Sequence, residues 1–241
     1  MSDVLLQLEG VHTHIGAYHI LHGVDLQVCK GEVTVLLGRN GVGKTTTLRT
    51  IMGLWRASSG RITWGGTDIT HCPTPQMAEL GVAYVPENMG IFSDLTVEEN
   101  LLLAARHVQR ANQFDATRLQ RIIDGFPALK TFWRHPAGKL SGGQKQMLAI
   151  ARAIIEPRRL LIVDEPSKGL APAIVDNMVQ VFLDLKHEGV TLLVVEQNLQ
   201  VAQALGDQVA VMDDGRMVHA GPLSALMADE ALQQRMLGLA L

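Results

Sequence analysis

The run Gly38-Arg39-Asn40-Gly41-Val42-Gly43-Lys44-Thr45 constrains this chain more than any other, because it fits the pattern G-x-x-x-x-G-K-[ST] and its flanks suit that pattern. Val33-Thr34-Val35-Leu36-Leu37 is a β-branched, apolar run of strand length. Thr45-Thr46-Thr47-Leu48-Arg49-Thr50-Ile51-Met52 continues as a helix closed by Gly53. A strand, a glycine turn and a helix in that order predict an α/β protein with a phosphate-loop NTPase core. The turn leaves successive backbone N–H groups free to point at phosphate oxygens, and the helix N-terminus adds positive potential. Lys44 would reach the β- and γ-phosphates, and Thr45 would offer its hydroxyl to Mg²⁺. Arg39, Asn40, Val42 and Thr46 complete the nucleotide-binding loop. Gly38, Gly41 and Gly43 fall where a Cβ would block backbone approach or a positive φ. The bland reading is a chance glycine turn with an exposed lysine, which leaves the matching strand and helix as coincidence.

An acidic partner for that loop follows Leu160-Leu161-Ile162-Val163, four apolar residues that read as a strand buried on both faces. Asp164 and Glu165 stand at its carboxyl end, where ligands sit in parallel sheets. Asp164 can hold Mg²⁺ directly or through water, and Glu165 can polarise an attacking water. By themselves they read equally well as two solvated acids; beside a phosphate loop that reading loses ground.

Leu140-Ser141-Gly142-Gly143-Gln144 has two readings that do not exclude each other. Ser141 with Gln144 three residues on, ahead of Met147, Leu148, Ile150 and Ala151, is a capping box. The same residues place unpaired donors at a helix start, which is a second anion site. With this segment the chain resembles, over essentially its whole length, the ATP-binding subunits of ABC transporters, whose signature sequence it is. The resemblance implies two cassettes facing head to tail. Each ATP then lies between the phosphate loop of one and the signature of the other, with Ser141, Gly142, Gly143 and Gln144 serving the partner's ATP. It also implies transmembrane permease subunits as partners, an external solute-binding protein acting indirectly, and a peripheral place on the cytoplasmic face of the membrane.

Departures from the common family pattern narrow the subfamily. Glu87, in Tyr84-Val85-Pro86-Glu87-Asn88, stands where most cassettes have a glutamine that touches the metal. A carboxylate there can still ligate Mg²⁺, but it adds negative charge beside a polyanion. Gln197, in Val194-Val195-Glu196-Gln197-Asn198, replaces the usual switch histidine. It can donate a hydrogen bond to the γ-phosphate but cannot become a cation. Catalysis would then lean on Glu165 and Lys44 with Gln197 assisting. Ala171 replaces the aspartate that couples two sites in many cassettes. Ile15 stands where an adenine-stacking aromatic is usual, and Tyr18 either takes over the stacking or fills a gap in the core. With these departures the chain looks most like the cassettes of bacterial branched-chain amino-acid importers. Urea and short-chain amide importers carry closely similar motifs, and a non-transport ABC ATPase is the more distant alternative.

Composition agrees with a single soluble domain. The 241 residues are 47% hydrophobic, and a formal net charge of −3 gives no support to a nucleic-acid partner. Cys29 and Cys72 lack metal or redox spacing. No apolar stretch reaches the roughly 18–20 residues needed to span a bilayer, and the N-terminus lacks a basic leader. The membrane channel is therefore expected on another chain. The pattern predicts an antiparallel layer from Val4–Leu8, Val24–Val28, Arg61–Trp64 and Thr67–Ile69, with turns at Lys30-Gly31 and Gly65-Gly66. Strands are predicted at Val82–Val85, Thr191–Val195 and Gln208–Met212, and a hairpin turn at Asp213-Asp214-Gly215-Arg216. Thr96-Val97-Glu98-Glu99 caps a helix that opens a helical block. The expected plan is one ABC ATPase domain over residues 1–241. Residues 1–86 and 151–241 form its nucleotide-binding core with the antiparallel layer, and 87–150 its helical signature subdomain.

Overall fold

The computed structural model describes residues 3–105 and 115–237. Its centre is a six-stranded sheet of β3 (Val33–Leu37), β6 (Val82–Val85), β7 (Leu160–Asp164), β8 (Thr191–Val195), β9 (Gln208–Asp213) and β10 (Arg216–Pro222). The spatial order is β10-β9-β3-β8-β7-β6. All pairs are parallel except β9 with β10. Every residue of β3, β7 and β8 is buried, as expected for parallel strands covered on both faces. Their side chains alternate between two cores. Leu36, Ile162, Leu193 and Val195 face one, and Val35, Leu161, Val163, Leu192 and Val194 face the other.

The first core is closed by a four-stranded antiparallel sheet of order β2-β1-β4-β5, made of β1 (Val4–Ile15), β2 (Tyr18–Cys29), β4 (Ala57–Trp64) and β5 (Thr67–Asp68). Leu6, Leu8, Val11, Leu21, Val24 and Ile62 supply its inner face. Both hairpin strands are longer than the alternating runs predicted, because the irregular register of β1 on β2 lets pairing continue past Gly10 and Gly23. The tip of this hairpin has two distinct faces. His12 pairs with His22 and His14 with His19, and the His19 ring stacks on those of His12 and His14 and meets His22 edge-on. Thr13 pairs with Leu21 on the inner face, and Ile15 pairs with Tyr18 at the exposed tip.

Gly65-Gly66 turns β4 into β5 as predicted. Lys30-Gly31 does something different from the expected turn within the antiparallel layer. It carries the chain from that layer into the central sheet, with Gly31 N donating to Thr191 Oγ1 at 2.9 Å. The turn at Asp214-Gly215 joins β9 to β10 with both residues at positive φ, 41° and 71°, as a primed hairpin turn requires.

The second core lies under a helical block inserted between β6 and β7. It comprises α3 (Val97–Ala104), α4 (Ala116–Gly125), α5 (Pro127–Thr131) and α6 (Gly142–Ile154). Thr96 and Glu99 form the predicted capping box on α3. Asn100 is fully buried and ties down the preceding loop by donating to the carbonyls of Phe92, Leu95 and Thr96. The remaining helices are α1 (Lys44–Ile51), α2 (Thr74–Glu79), α7 (Pro172–His187), α8 (Leu199–Leu205), α9 (Leu223–Ala228) and α10 (Glu230–Leu237). The parallel register aligns Val85 with Val163, Asp164 with Val195, and Leu36 with Val195. The segments that follow β3, β6, β7 and β8 therefore leave the sheet at one edge.

Candidate functional site

That edge gathers the phosphate loop, Glu87, Asp164, Glu165 and Gln197. The loop between β3 and α1 is shaped by neighbours on both sides. A Cβ at Gly38, where φ is 149°, would lie 2.4 Å from the Met212 carbonyl oxygen. At Gly43, where φ is 108°, it would press on Leu21 of β2 and Met212 of β9 at 3.0 and 3.2 Å. Gly215 pins the loop from above, donating its N–H to the Val42 carbonyl at 2.9 Å and accepting from His22 N at 2.8 Å. The backbone path is thus fixed by both sheets.

Lys44 opens α1 and is only 4% exposed. Its Nζ donates to the carbonyls of Gly38 and Arg39 at 2.8 Å each and lies 3.7 Å from Glu165 Oε1. Burial pulls its pKa below the ordinary lysine value, although Glu165 and Asp164 oppose this. Thr45 Oγ1 donates to Asp164 Oδ1 at 3.2 Å, and Tyr84 OH donates to Oδ2 at 3.4 Å. Asp164 is 1% exposed, and its burial pushes the carboxyl pKa up despite those two bonds. The same environment, burial first and then the Asp164 charge, drives the Tyr84 hydroxyl up to about 12.

Glu165 follows β7 with φ at 49°, a left-handed backbone rare for a residue with a side chain. Its N–H donates to the Val195 carbonyl at 3.0 Å, which holds that conformation. Oε1 accepts from Gln197 Nε2 at 2.5 Å, and Oε2 has the Lys168 ammonium at 3.2 Å. Burial alone would raise this carboxyl's pKa. Interactions with Gln197, Lys168 and Lys44 outweigh it and leave the group below the ordinary glutamate value. Gln197 Nε2 also donates to Asn40 Oδ1 at 2.7 Å, which joins the phosphate loop to the end of β7. Glu87 pairs with Lys168 at 2.7 Å.

Three side chains here escaped the sequence reading. Glu196, 2% exposed, accepts from Ser167 N and Oγ and from the N–H groups of Gln197 and Asn198. It thereby locks the loop after β7 to the loop after β8. Its position at the end of the apolar run Leu192–Val195 was the available signal. Tyr84 gave none, because its partner is distant in sequence, and Lys168 gave little, because Glu87 is distant although Glu165 stands three residues away.

The remaining predicted residues lie apart from this cluster. Ser141 and Gln144 form both bonds of the capping box on α6, at 2.9 and 3.3 Å. Ser141 and Gly142 face solvent, and a Cβ at Gly142 would meet nothing within 4 Å. Among the described residues no hydrogen bond links the signature segment to the phosphate loop. Tyr18 is 76% exposed, so it does not fill a core gap. It sits at the hairpin tip, three residues before Leu21, whose side chain borders Gly43.

A buried lysine and a hydroxyl at the start of a helix, set against an aspartate and a glutamate at the end of the parallel strand one removed from the loop's own, define a phosphate-loop NTPase. The chain belongs to the ABC transporter family, which it matches over residues 21–168. It is an ATPase cassette of that family. It is 37% identical to the high-affinity branched-chain amino acid transport ATP-binding protein BraG of Pseudomonas aeruginosa, over 97% of this chain and 100% of that one. It is also 37% identical to the probable branched-chain amino acid transport ATP-binding protein LivF of Archaeoglobus fulgidus, over 92% and 93% of the two chains. Among solved structures, the ADP conformation of an ATP-binding cassette of an ABC transporter superposes with a TM-score of 0.79 at 25% identity. That match covers 98% of this chain and 99% of the other.

Proposed function

We propose that this chain is the ATP-hydrolysing motor subunit of an importer for branched-chain or related amino acids. The solute class is supported by the likeness to the BraG and LivF proteins. The observation that carries the catalytic part is Glu165, held between Gln197 and Lys168 and 3.7 Å from Lys44.

In this reading the N–H groups of residues 38–46 cradle the phosphates of ATP, and Lys44 exchanges its bonds to the Gly38 and Arg39 carbonyls for β- and γ-phosphate oxygens. Thr45, Asp164 and Glu87 present oxygen donors, which suit a hard cation such as Mg²⁺. Among the described residues no group of three or more His, Cys, Asp or Glu side chains could hold a metal alone, so these residues would share the ion with phosphate oxygens. Mg²⁺, when bound, neutralises charge on the phosphates. Glu165, ionised at neutral pH, accepts the proton of the attacking water. Gln197 orients Glu165 and stands within reach of the γ-phosphate side of the loop through Asn40. Tyr18 covers the base from the hairpin tip.

Ser141, Gly142 and Gly143 serve the ATP held by a second cassette, identical or homologous, and the solvent exposure of Ser141 and Gly142 and the segment's freedom from the chain's own phosphate loop support that role. The domain then divides into a nucleotide core, residues 1–86 and 151–241, and a signature subdomain, 87–150. An open groove of about 860 Å³ runs between them, lined by Leu54, Trp55, Met89, Leu103 and Arg152. Leu54 and Leu103 are half or more exposed, so the groove suits an apolar cytoplasmic segment of the permease. No helix among the described residues is long and apolar enough to cross a membrane, and the permease would hold the chain on the cytoplasmic face. An external binding protein would act through that permease.

The test is Glu165→Gln, which keeps shape and deletes the base. Turnover should fall ~10²–10⁴-fold with Mg-ATP still bound. The wild-type chain should copurify with a permease of an amino-acid importer. Near-normal hydrolysis by the variant would remove Glu165 from the role, and copurification with an unrelated membrane chain would remove the solute class.

A further inference from the structure

Three carboxylates, Asp164, Glu165 and Glu87, converge where a triphosphate would bring more negative charge. An amide at position 87 would add none, whereas the carboxylate repels both its neighbours and the phosphates. Among the described residues, the ion pairs these carboxylates make come from Lys44 and Lys168. Lys44 is committed to the phosphate loop. Lys168, three residues past Glu165, spans the other side, 2.7 Å from Glu87 Oε1 and 3.2 Å from Glu165 Oε2. Glu165 Oε2 is buried and accepts no well-formed hydrogen bond, so the ion pair alone restrains it. Gln197 holds Oε1 from the opposite side.

We propose that Lys168 is a positioning residue for ATP hydrolysis, the counter-cation that makes a glutamate workable at position 87 and the strut that fixes the second oxygen of Glu165. The Glu87–Lys168 pair then replaces one neutral side chain with two charges of zero sum, and joins the loops after β6 and β7 in doing so. The inference rests on the reading of Glu165 as the base. A role in fold stability is disfavoured, because Lys168 is 56% and Glu87 48% exposed and exposed pairs add little.

The experiment compares wild type with Lys168→Leu, Lys168→Arg, Glu87→Gln and the double variant Glu87→Gln/Lys168→Leu, each assembled with its partner subunits. Three quantities are read: turnover, ATP affinity in EDTA by equilibrium dialysis, and melting temperature. Lys168→Leu should lose roughly tenfold in kcat and several-fold in magnesium-free ATP affinity, because an unpaired carboxylate then faces the phosphates. Glu87→Gln in the same chain should restore affinity and bring kcat back to within about threefold. Lys168→Arg should stay near wild type, and no variant should melt more than about 2 °C from it. Wild-type behaviour of Lys168→Leu overturns the proposal, as does a double variant no better than Lys168→Leu. A melting temperature that falls in step with activity does the same by assigning a structural role. Glu165→Gln run alongside separates the two readings. If it is inactive while Lys168→Leu is silent, only the Lys168 proposal fails. If it hydrolyses normally, the base assignment fails with it.

Discussion

Replacing Gln197 by alanine should slow hydrolysis while sparing nucleotide binding. The amide donates to Glu165 Oε1 at 2.5 Å and to Asn40 Oδ1 at 2.7 Å, so, with Glu165 as the proposed base, it sets the direction of that carboxylate relative to the phosphate loop. A hydrogen bond to a charged group is worth about 1.5–3 kcal/mol, and each 1.4 kcal/mol is a factor of about ten. Full loss would cost roughly 10–150-fold. Gln197 is exposed, however, and water would replace part of the bond. The expected fall in kcat is therefore about 5–30-fold, with ATP affinity changed less than about threefold because Lys44 and the loop N–H groups are untouched. The pH profile gives a second reading. Gln197 is among the interactions that hold the Glu165 pKa below the ordinary glutamate value against its burial. Without it the pKa rises, less of the base is ionised in mild acid, and the acid limb of kcat moves to higher pH. Gln197→Glu should be worse than alanine, since it sets a like charge beside Glu165. Phosphate release from the assembled transporter, measured across pH beside equilibrium ATP binding, tests all of this. An alanine variant with wild-type kcat and an unmoved acid limb would refute the reasoning.

Base selectivity should be loose. With Ile15 half-buried at the hairpin and Tyr18 the exposed aromatic near the loop, most affinity should come from phosphates. GTP should bind within about tenfold of ATP, or ~1.4 kcal/mol; a much larger preference that Tyr18→Ala abolishes would show specific stacking. Gly142→Asp should leave ATP binding to the chain intact and block its nucleotide-dependent pairing with a second cassette. The side chain has space within its own chain, so sedimentation of Glu165→Gln protein with and without the change isolates the interface effect, and unchanged pairing would defeat the shared-site mechanism. Phe182→Ala empties a fully buried site in α7. It should cost about 3–5 kcal/mol, or roughly 6–20 °C in melting temperature, as calorimetry can check.

Local chemistry makes the phosphate loop, the acidic strand end and both capping boxes legible in the sequence. Each is a short run whose residue types are dictated by neighbours a few positions away. Gly38 and Gly43 are an instructive mixture. Their presence follows from the motif, but the atoms that forbid a Cβ there belong to Met212 and Leu21, which no local pattern points to. Lys168 was opaque for the same reason. A lysine in a loop reads as solvated until Glu87, a residue on another strand's exit, is placed beside it. The full length of β1 and β2 was hidden by Gly10 and Gly23, which break the alternation that a sequence pattern relies on while the register shifts keep the ladder going. Edge strand β10 and the short helix α2 lacked a periodic signal strong enough to be read. In β10 the buried and exposed classes alternate between intermediate and exposed only.

The strand that delivers the phosphate loop has its two neighbours far downstream. β3 ends at Leu37, yet it lies between β8 and β9, which begin at Thr191 and Gln208. A ribosome makes the chain from the N-terminus, so β3 emerges with both edges unpaired and stays so until residues 191–213 have followed it out. An apolar strand with open edges is prone to pair with other chains. The turn at Gly215 that clamps Val42 arrives later still. During synthesis, therefore, the antiparallel layer and the helical block can form while the nucleotide loop has no fixed shape. A fragment ending before β8 should contain the whole phosphate-binding motif and still lack the neighbours that give it its shape.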